Sequence, residues 1–225
     1  FGVIAEIKRR SPAEGPLDPA AEIGTSYLIS RAQAYAAGGA AAISVLTEPS
    51  RFDGELAHLE DVAAALPDTP VMRKDFLVDP VQILEARKAG ASGVLLIAAM
   101  LDDAKLRTML DCAWEHGMFV LLESFDEEDL RRSAPFLDGG GQLLIGVNTR
   151  NLRTLEVDAD RLRNLAPKLP EAICVAESGL HEPEDAARVA RWGYSMALVG
   201  TALMRSDDPT ELVAGMTSAG AAACS

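Results

Sequence analysis

Short apolar runs recur along this chain, each followed by a longer stretch in which apolar positions return every three or four residues. The runs cover residues 3–8, 41–46, 71–76, 93–97, 119–123, 143–148, 173–177 and 196–200. Runs this short, rich in Val, Ile and Leu and almost without polar alternation, are the pattern of strands covered on both faces. The stretches between them predict helices at about 20–37, up to 65, 80–90, 102–116, 127–137, 158–166, 183–191 and from 209 onward. Gly38-Gly39, Gly90 and Gly117 act as helix stops and Pro80 as a start. The last residues, 219–225, small and polar, read as a frayed tail.

Strands alternating with helices imply right-handed crossovers and a parallel sheet. Eight strand–helix units in 225 residues, with no break between them, predict one (β/α)8 TIM barrel domain spanning residues 1–225. A doubly wound open sheet is the structural alternative, and it carries a glycine-rich nucleotide loop after its first strand. Here the first strand runs into Lys8-Arg9-Arg10-Ser11-Pro12, which favours the barrel.

Composition narrows the function. The formal net charge is −13, and the absence of a basic stripe argues against nucleic acid or an anionic membrane as partner. An anionic small ligand would need a few cations focused locally against that field. The three cysteines are scattered and odd in number, which fits a reducing cytoplasm better than a disulfide framework. His58, His116 and His181 fall in predicted helices without partners at ligand spacing, so no metal and no cofactor are expected. Phe1 is not an initiator and no signal peptide follows, so the chain is expected to begin inside a longer protein or to have been processed. The expected assembly is a monomer or a weak homodimer.

In a barrel, the C-terminal strand ends carry the chemistry. In chain order they supply Glu6 and Lys8, Thr47-Glu48, Lys74-Asp75, Ile97, Glu123, Asn148 with Arg150, Glu177-Ser178-Gly179, and Gly200-Thr201. Charges so placed survive only if paired or used. Lys74 ends the third run, where partial desolvation would lower its pKa toward values useful for proton transfer; the competing reading is a surface lysine paired with Asp75. Ser178, Gly179, Gly200 and Thr201 offer small residues and hydroxyls on the last two strands, the usual phosphate cradle of this fold, although such pairs also start ordinary loops. The sum is an enzyme acting on a small phosphorylated compound with lysine and glutamate.

The segments 3–12, 43–48, 73–76, 146–152 and 176–179 stand in an order that resembles the indole-3-glycerol-phosphate synthase family of tryptophan biosynthesis. The likeness runs from Val3 to about Arg205. It implies a (β/α)8 barrel lyase that converts 1-(2-carboxyphenylamino)-1-deoxyribulose 5-phosphate to indoleglycerol phosphate, CO2 and water without cofactor or metal. By that resemblance Lys74 matches the general acid at the ketone oxygen, and Glu123 the base that accepts the ring-nitrogen proton during dehydration. Lys8 matches the residue holding the carboxylate and phosphate, and is also a candidate acid for dehydration. Glu6, Asn148 and Glu177 would line the centre. Ser11 and Arg150 would help hold the substrate, and Ser178, Gly179, Gly200 and Thr201 its phosphate. Phe52, Phe76 and Leu95 are candidates for an apolar slot for the ring; ordinary packing under a loop is the other reading of the two phenylalanines.

The family usually carries helices before the first strand that cover the barrel mouth; none is seen here. Asn151 stands where aspartate is usual, and Phe125 where histidine is common. The run Gly139-Gly140-Gly141 reads as a loop elongation. Two other functions compete. One is a sugar-phosphate isomerase on the same fold, which would use a Cys or Asp pair at strand ends and finds no cysteine at one here. The other is a barrel that binds a phosphorylated metabolite without turning it over, which the sequence leaves standing.

Overall fold

The structure, a computed structural model, describes residues 1–12, 14–17, 24–150, 157–158 and 160–224. The expected first turns of the helix at 20–37, Ala13, Asn151 and the terminal Ser225 lie outside the described residues.

Eight parallel strands close into a barrel: β1 (Gly2–Ile7), β2 (Ala42–Leu46), β3 (Val71–Lys74), β4 (Gly93–Ile97), β5 (Phe119–Ser124), β6 (Leu143–Asn148), β7 (Ile173–Glu177) and β8 (Met196–Val199). Each pairs with its sequence neighbour, and β1 closes the ring by pairing with both β2 and β8. Side chains alternate between two apolar layers, which is why the strands read as unbroken apolar runs. Val3, Ile43, Val94 and Ile145 face the surrounding helices, whereas Ile4, Met72, Leu95, Leu121, Val175 and Leu198 fill the interior. At the C-terminal end this interior stack gives way to polar residues: the ladder carries Glu6, Lys74, Glu123, Asn148 and Glu177 at its last positions.

The helices between strands are α1 (Thr25–Ala37), α2 (Pro49–Phe52), α3 (Leu56–Ala65), α4 (Pro80–Lys88), α5 (Asp103–Glu115), α6 (Glu127–Ser133), α7 (Arg161–Leu165), α8 (Pro183–Arg191), α9 (Thr201–Arg205) and α10 (Pro209–Ala223). Their ends follow local chemistry. Asp79 and Gln82 form a capping box around Pro80, and Asp102 caps α5 by accepting from the backbone N–H of Lys105. Pro135 and Pro167 turn the expected continuations of α6 and α7 into short 3-10 segments.

Two expectations about the periphery change. Residues 219–223 continue α10 instead of fraying: Gly220 is buried, and a Cβ there would lie 2.3 Å from the Phe1 ring, so the chain's first side chain packs on its last helix. The Gly139–Gly141 run is more than a longer loop. Any Cβ on Gly139 or Gly141 would strike the Trp114 indole, so the glycines give that ring its seat.

Candidate active site

The cavity sits at the C-terminal mouth of the barrel and measures about 320 Å³, within the range of small-molecule sites. It is lined by Glu6, Lys8, Ser11, Phe52, Lys74, Phe76, Leu95, Glu123, Asn148, Arg150, Ser178, Gly179, Gly200 and Thr201. Fourteen of the fifteen residues assigned a catalytic, substrate or phosphate role from the sequence therefore meet in one place. Glu177, the fifteenth, is 1% exposed and lies outside the lining, under the cavity floor.

Its centre is one carboxylate held between two ammonium groups. Lys8 Nζ lies 2.7 Å from Glu6 Oε1, and Lys74 Nζ lies 3.0 Å from Glu6 Oε2. Both contacts join opposite charges at ion-pair distance. Burial raises the Glu6 pKa, but the charges of Lys74 and Lys8 outweigh it and bring the carboxyl from 4.5 to about 2. Gly200 makes room for the group: a Cβ there would lie 2.3 Å from Glu6 Oε1 and 2.8 Å from Lys8 Nζ. Its place in the site thus has a steric reason beyond the phosphate cradle read from the sequence.

Lys74 departs from expectation. Burial does press its pKa down, but Glu6, then Glu123 and Glu177, press harder in the other direction, and the net shift is upward. The ammonium is therefore the resting form at any ordinary pH. Nor does Lys74 pair with Asp75. That carboxylate is taken by Arg73 at 3.0 Å, by the Thr47 hydroxyl at 2.6 Å and by the Phe76 backbone N–H at 2.8 Å. Arg73, itself buried, also donates to Thr47 Oγ1 and the Gln82 carbonyl. Adjacent residues thus divide the work: Arg73 and Asp75 anchor the end of β3, while Lys74 points into the cavity.

Glu177 lies against Glu123. Burial, and after it the charge of Glu123, raise its pKa well above the carboxylate range, with Lys74 opposing. No N–H or hydroxyl reaches either of its oxygens among the described residues; its one side-chain hydrogen bond is with the Glu123 carboxyl, which also raises the pKa.

The opposite wall is built from backbone turns. Ser178 and Gly179 both adopt the left-handed region, with φ of 70° and 76°; for a serine this conformation stores on the order of 1–3 kcal/mol. The Ser178 hydroxyl donates to Asn148 Oδ1 at 2.8 Å, and the Arg150 backbone N–H donates to the same oxygen at 2.9 Å. Both contacts orient the Asn148 amide toward the cavity.

Two residues add to what the sequence suggested. Glu48 lines the cavity as its strand end implies and also caps α2, accepting from Ser50 and from the backbone N–H of Arg51; this helix carries Phe52 into the lining. His181 precedes α8 rather than lying in a helix, and it joins the cavity rim. Proximity to the Ser178-Gly179 turn was the one signal that could have found it. Phe125 stays outside the cavity, its ring 3.5 Å beneath the Arg161 guanidinium.

Comparison with known proteins shows the family. Residues 1–216 match the family model described as indole-3-glycerol phosphate synthase. A protein of that name from Nocardioides sp. is 49% identical over 220 residues, covering 96% of this chain and 79% of its own. The namesake from Salinibacter ruber is 42% identical, covering 96% and 77%. Among solved structures, 3-hexulose-6-phosphate synthase from Salmonella typhimurium superposes with a TM-score of 0.73 at 15% identity, covering 99% of this chain and all of that one. Thiamine phosphate pyrophosphorylase from Pyrococcus furiosus reaches 0.69 at 15% identity, covering 100% and 97%. At such identity these two attest the fold alone.

Proposed function

The chain belongs to the indole-3-glycerol phosphate synthase family, and from that premise we propose that it closes the indole ring of 1-(2-carboxyphenylamino)-1-deoxyribulose 5-phosphate with loss of CO2 and water. The observation that carries this reading is the Lys8–Glu6–Lys74 array at the centre of the mouth.

The chemistry needs charge handled at three moments. First, the aryl carbon bearing the carboxylate attacks the ketone carbon, and the ketone oxygen gains negative charge. Lys74, kept as an ammonium by its glutamate neighbours, supplies the proton. A donor already charged and partly dry needs little reorganisation to do so. Second, the carbon–carboxylate bond breaks, CO2 leaves, and its electron pair restores the aromatic ring. Third, the new hydroxyl leaves as water. Lys74 has by then given up its proton, so Lys8 serves as donor, and Glu123 accepts the proton released as the five-membered ring becomes aromatic. The two donations and one acceptance match the single proton that the overall reaction consumes.

Binding follows from the lining. Phe52, Phe76 and Leu95 form the apolar slot for the aromatic ring. Lys8 and Arg150 meet the carboxylate, with Ser11 and Asn148 completing the substrate's surroundings; Glu177, behind the lining, acts only through Glu123 and Lys74. Ser178, Gly179, Gly200 and Thr201 take the phosphate at the ends of β7 and β8, beside Lys8. Mixing the protein with the carboxyphenylamino-deoxyribulose phosphate should develop indole fluorescence. An unsubstituted protein that binds this compound without fluorescence would instead support a non-catalytic phospho-metabolite binder.

A further inference from the structure

Glu123, Gly146 and Glu177 stand on three neighbouring strands. The ladder pairs Glu123 on β5 with Gly146 on β6. Glu177 on β7 pairs with Asn148, two residues farther along β6. A side chain at position 146 would therefore stand between the two carboxyls. Glycine leaves that space open and Glu177 fills it: a Cβ on Gly146 would lie 2.0 Å from Glu177 Oε1, 3.1 Å from its Cδ and 3.2 Å from Leu121 Cδ1. The backbone itself does not call for glycine, since Gly146 is not among the residues of positive φ. Glu177 reaches across β6 into a dry seat, where no N–H or hydroxyl meets its oxygens among the described residues and its side-chain hydrogen bond is with Glu123.

We propose that Gly146 is a positioning residue for the reaction: by carrying no side chain, it seats the Glu177 carboxyl beneath Glu123 and Lys74, where that carboxyl sets the charge these two present to the substrate. The inference rests on the reading given under Proposed function. The charged groups facing Glu177 are Glu123 on β5, Lys74 on β3 and Glu6 on β1. In its seat Glu177 is a neutral acid, which leaves Glu123 as the proton acceptor and spares Lys74 a second competing carboxylate. A methyl at position 146 would drive the carboxyl out of this dry place toward solvent or toward Lys74, where it ionises.

The test is a set of three variants, Gly146→Ala, Glu177→Ala and the double substitution, followed by turnover, thermal melting and the carboxyl 13C resonances of glutamate-labelled protein. The Glu177 resonance is identified by its loss in Glu177→Ala. Gly146→Ala should lower kcat about 100-fold, the cost of an ångström-scale misplacement, with KM little changed. It should also bring the Glu177 titration down toward the ordinary carboxylate range. In the Glu177→Ala background the same methyl should change kcat by no more than about twofold and should restore melting relative to Gly146→Ala alone. Equal losses in both backgrounds, or a Glu177 titration unmoved by Gly146→Ala, would overturn the inference. If the unsubstituted chain makes no indole product, the synthase reading fails, while the resonance and the melting of the double variant still decide the seating.

Discussion

Lys74 and Glu6 face each other across β2, with Lys74 Nζ 3.0 Å from Glu6 Oε2. The strand between them presents Ser44, a small buried residue, at the register position beside Glu6. The pair shares its carboxylate with Lys8, so removing any one member leaves a buried charge short of its partner.

Glu6→Gln should make this visible as a pH effect. The Glu6 pKa falls from 4.5 to about 2 on folding, worth on the order of 3 kcal/mol. Because the folded value is the lower, that stability is fully present above pH 4.5 and is lost as pH falls through about 2. The variant, with two lysines left uncompensated, should be less stable than the unsubstituted protein at pH 7. The gap should narrow toward pH 2 in denaturant titrations run across that window.

Glu177→Gln has the opposite sign. Its folded pKa is raised, so its contribution is present below 4.5 and is lost as pH rises through the folded value. An amide does not titrate and imitates the neutral acid in shape. The variant should therefore melt at pH 8 at least as high as the unsubstituted protein. Turnover should fall by no more than about tenfold, the scale of one neutral hydrogen bond.

Arg73→Ala should be far more damaging to the fold. The guanidinium ties Asp75, Thr47, Glu85 and the Gln82 carbonyl to the end of β3, and its loss leaves Asp75 largely buried without its cation. Such an unpaired charge costs about 3–5 kcal/mol, readable as a lowered midpoint in urea. Arg73→Lys should recover only part of this, because an ammonium cannot reproduce the planar fork.

Much of this was legible in the chain because the barrel writes its strands plainly. Apolar runs such as 93–97 and 143–148 can only be buried on both faces, and polar residues at their ends can only gather at the mouth. Contacts across the sheet were harder to read. The partner of Lys74 is Glu6, 68 positions away, rather than the adjacent Asp75, because neighbours on a strand point to opposite faces. The direction of the Lys74 shift was missed for the same reason: burial alone lowers a lysine, but three glutamates from other strands converge on this one. Gly146 carried no site role in the sequence and Gly200 only that of a phosphate cradle; the steric reason for each depends on carboxyls brought in from other strands. His181 was hidden for the opposite reason, since a helix start two residues away made it look helical.

The central claim is that Lys74 delivers a proton to the substrate ketone. Its most direct test is the rate of indole fluorescence from the carboxyphenylamino-deoxyribulose phosphate with the unsubstituted protein and with Lys74→Ala, each checked for an intact fold by circular dichroism. Removal of a general acid costs about 100- to 10,000-fold, so the variant should stay folded and lose activity on that scale. A folded Lys74→Ala protein that kept most of its rate would contradict the account.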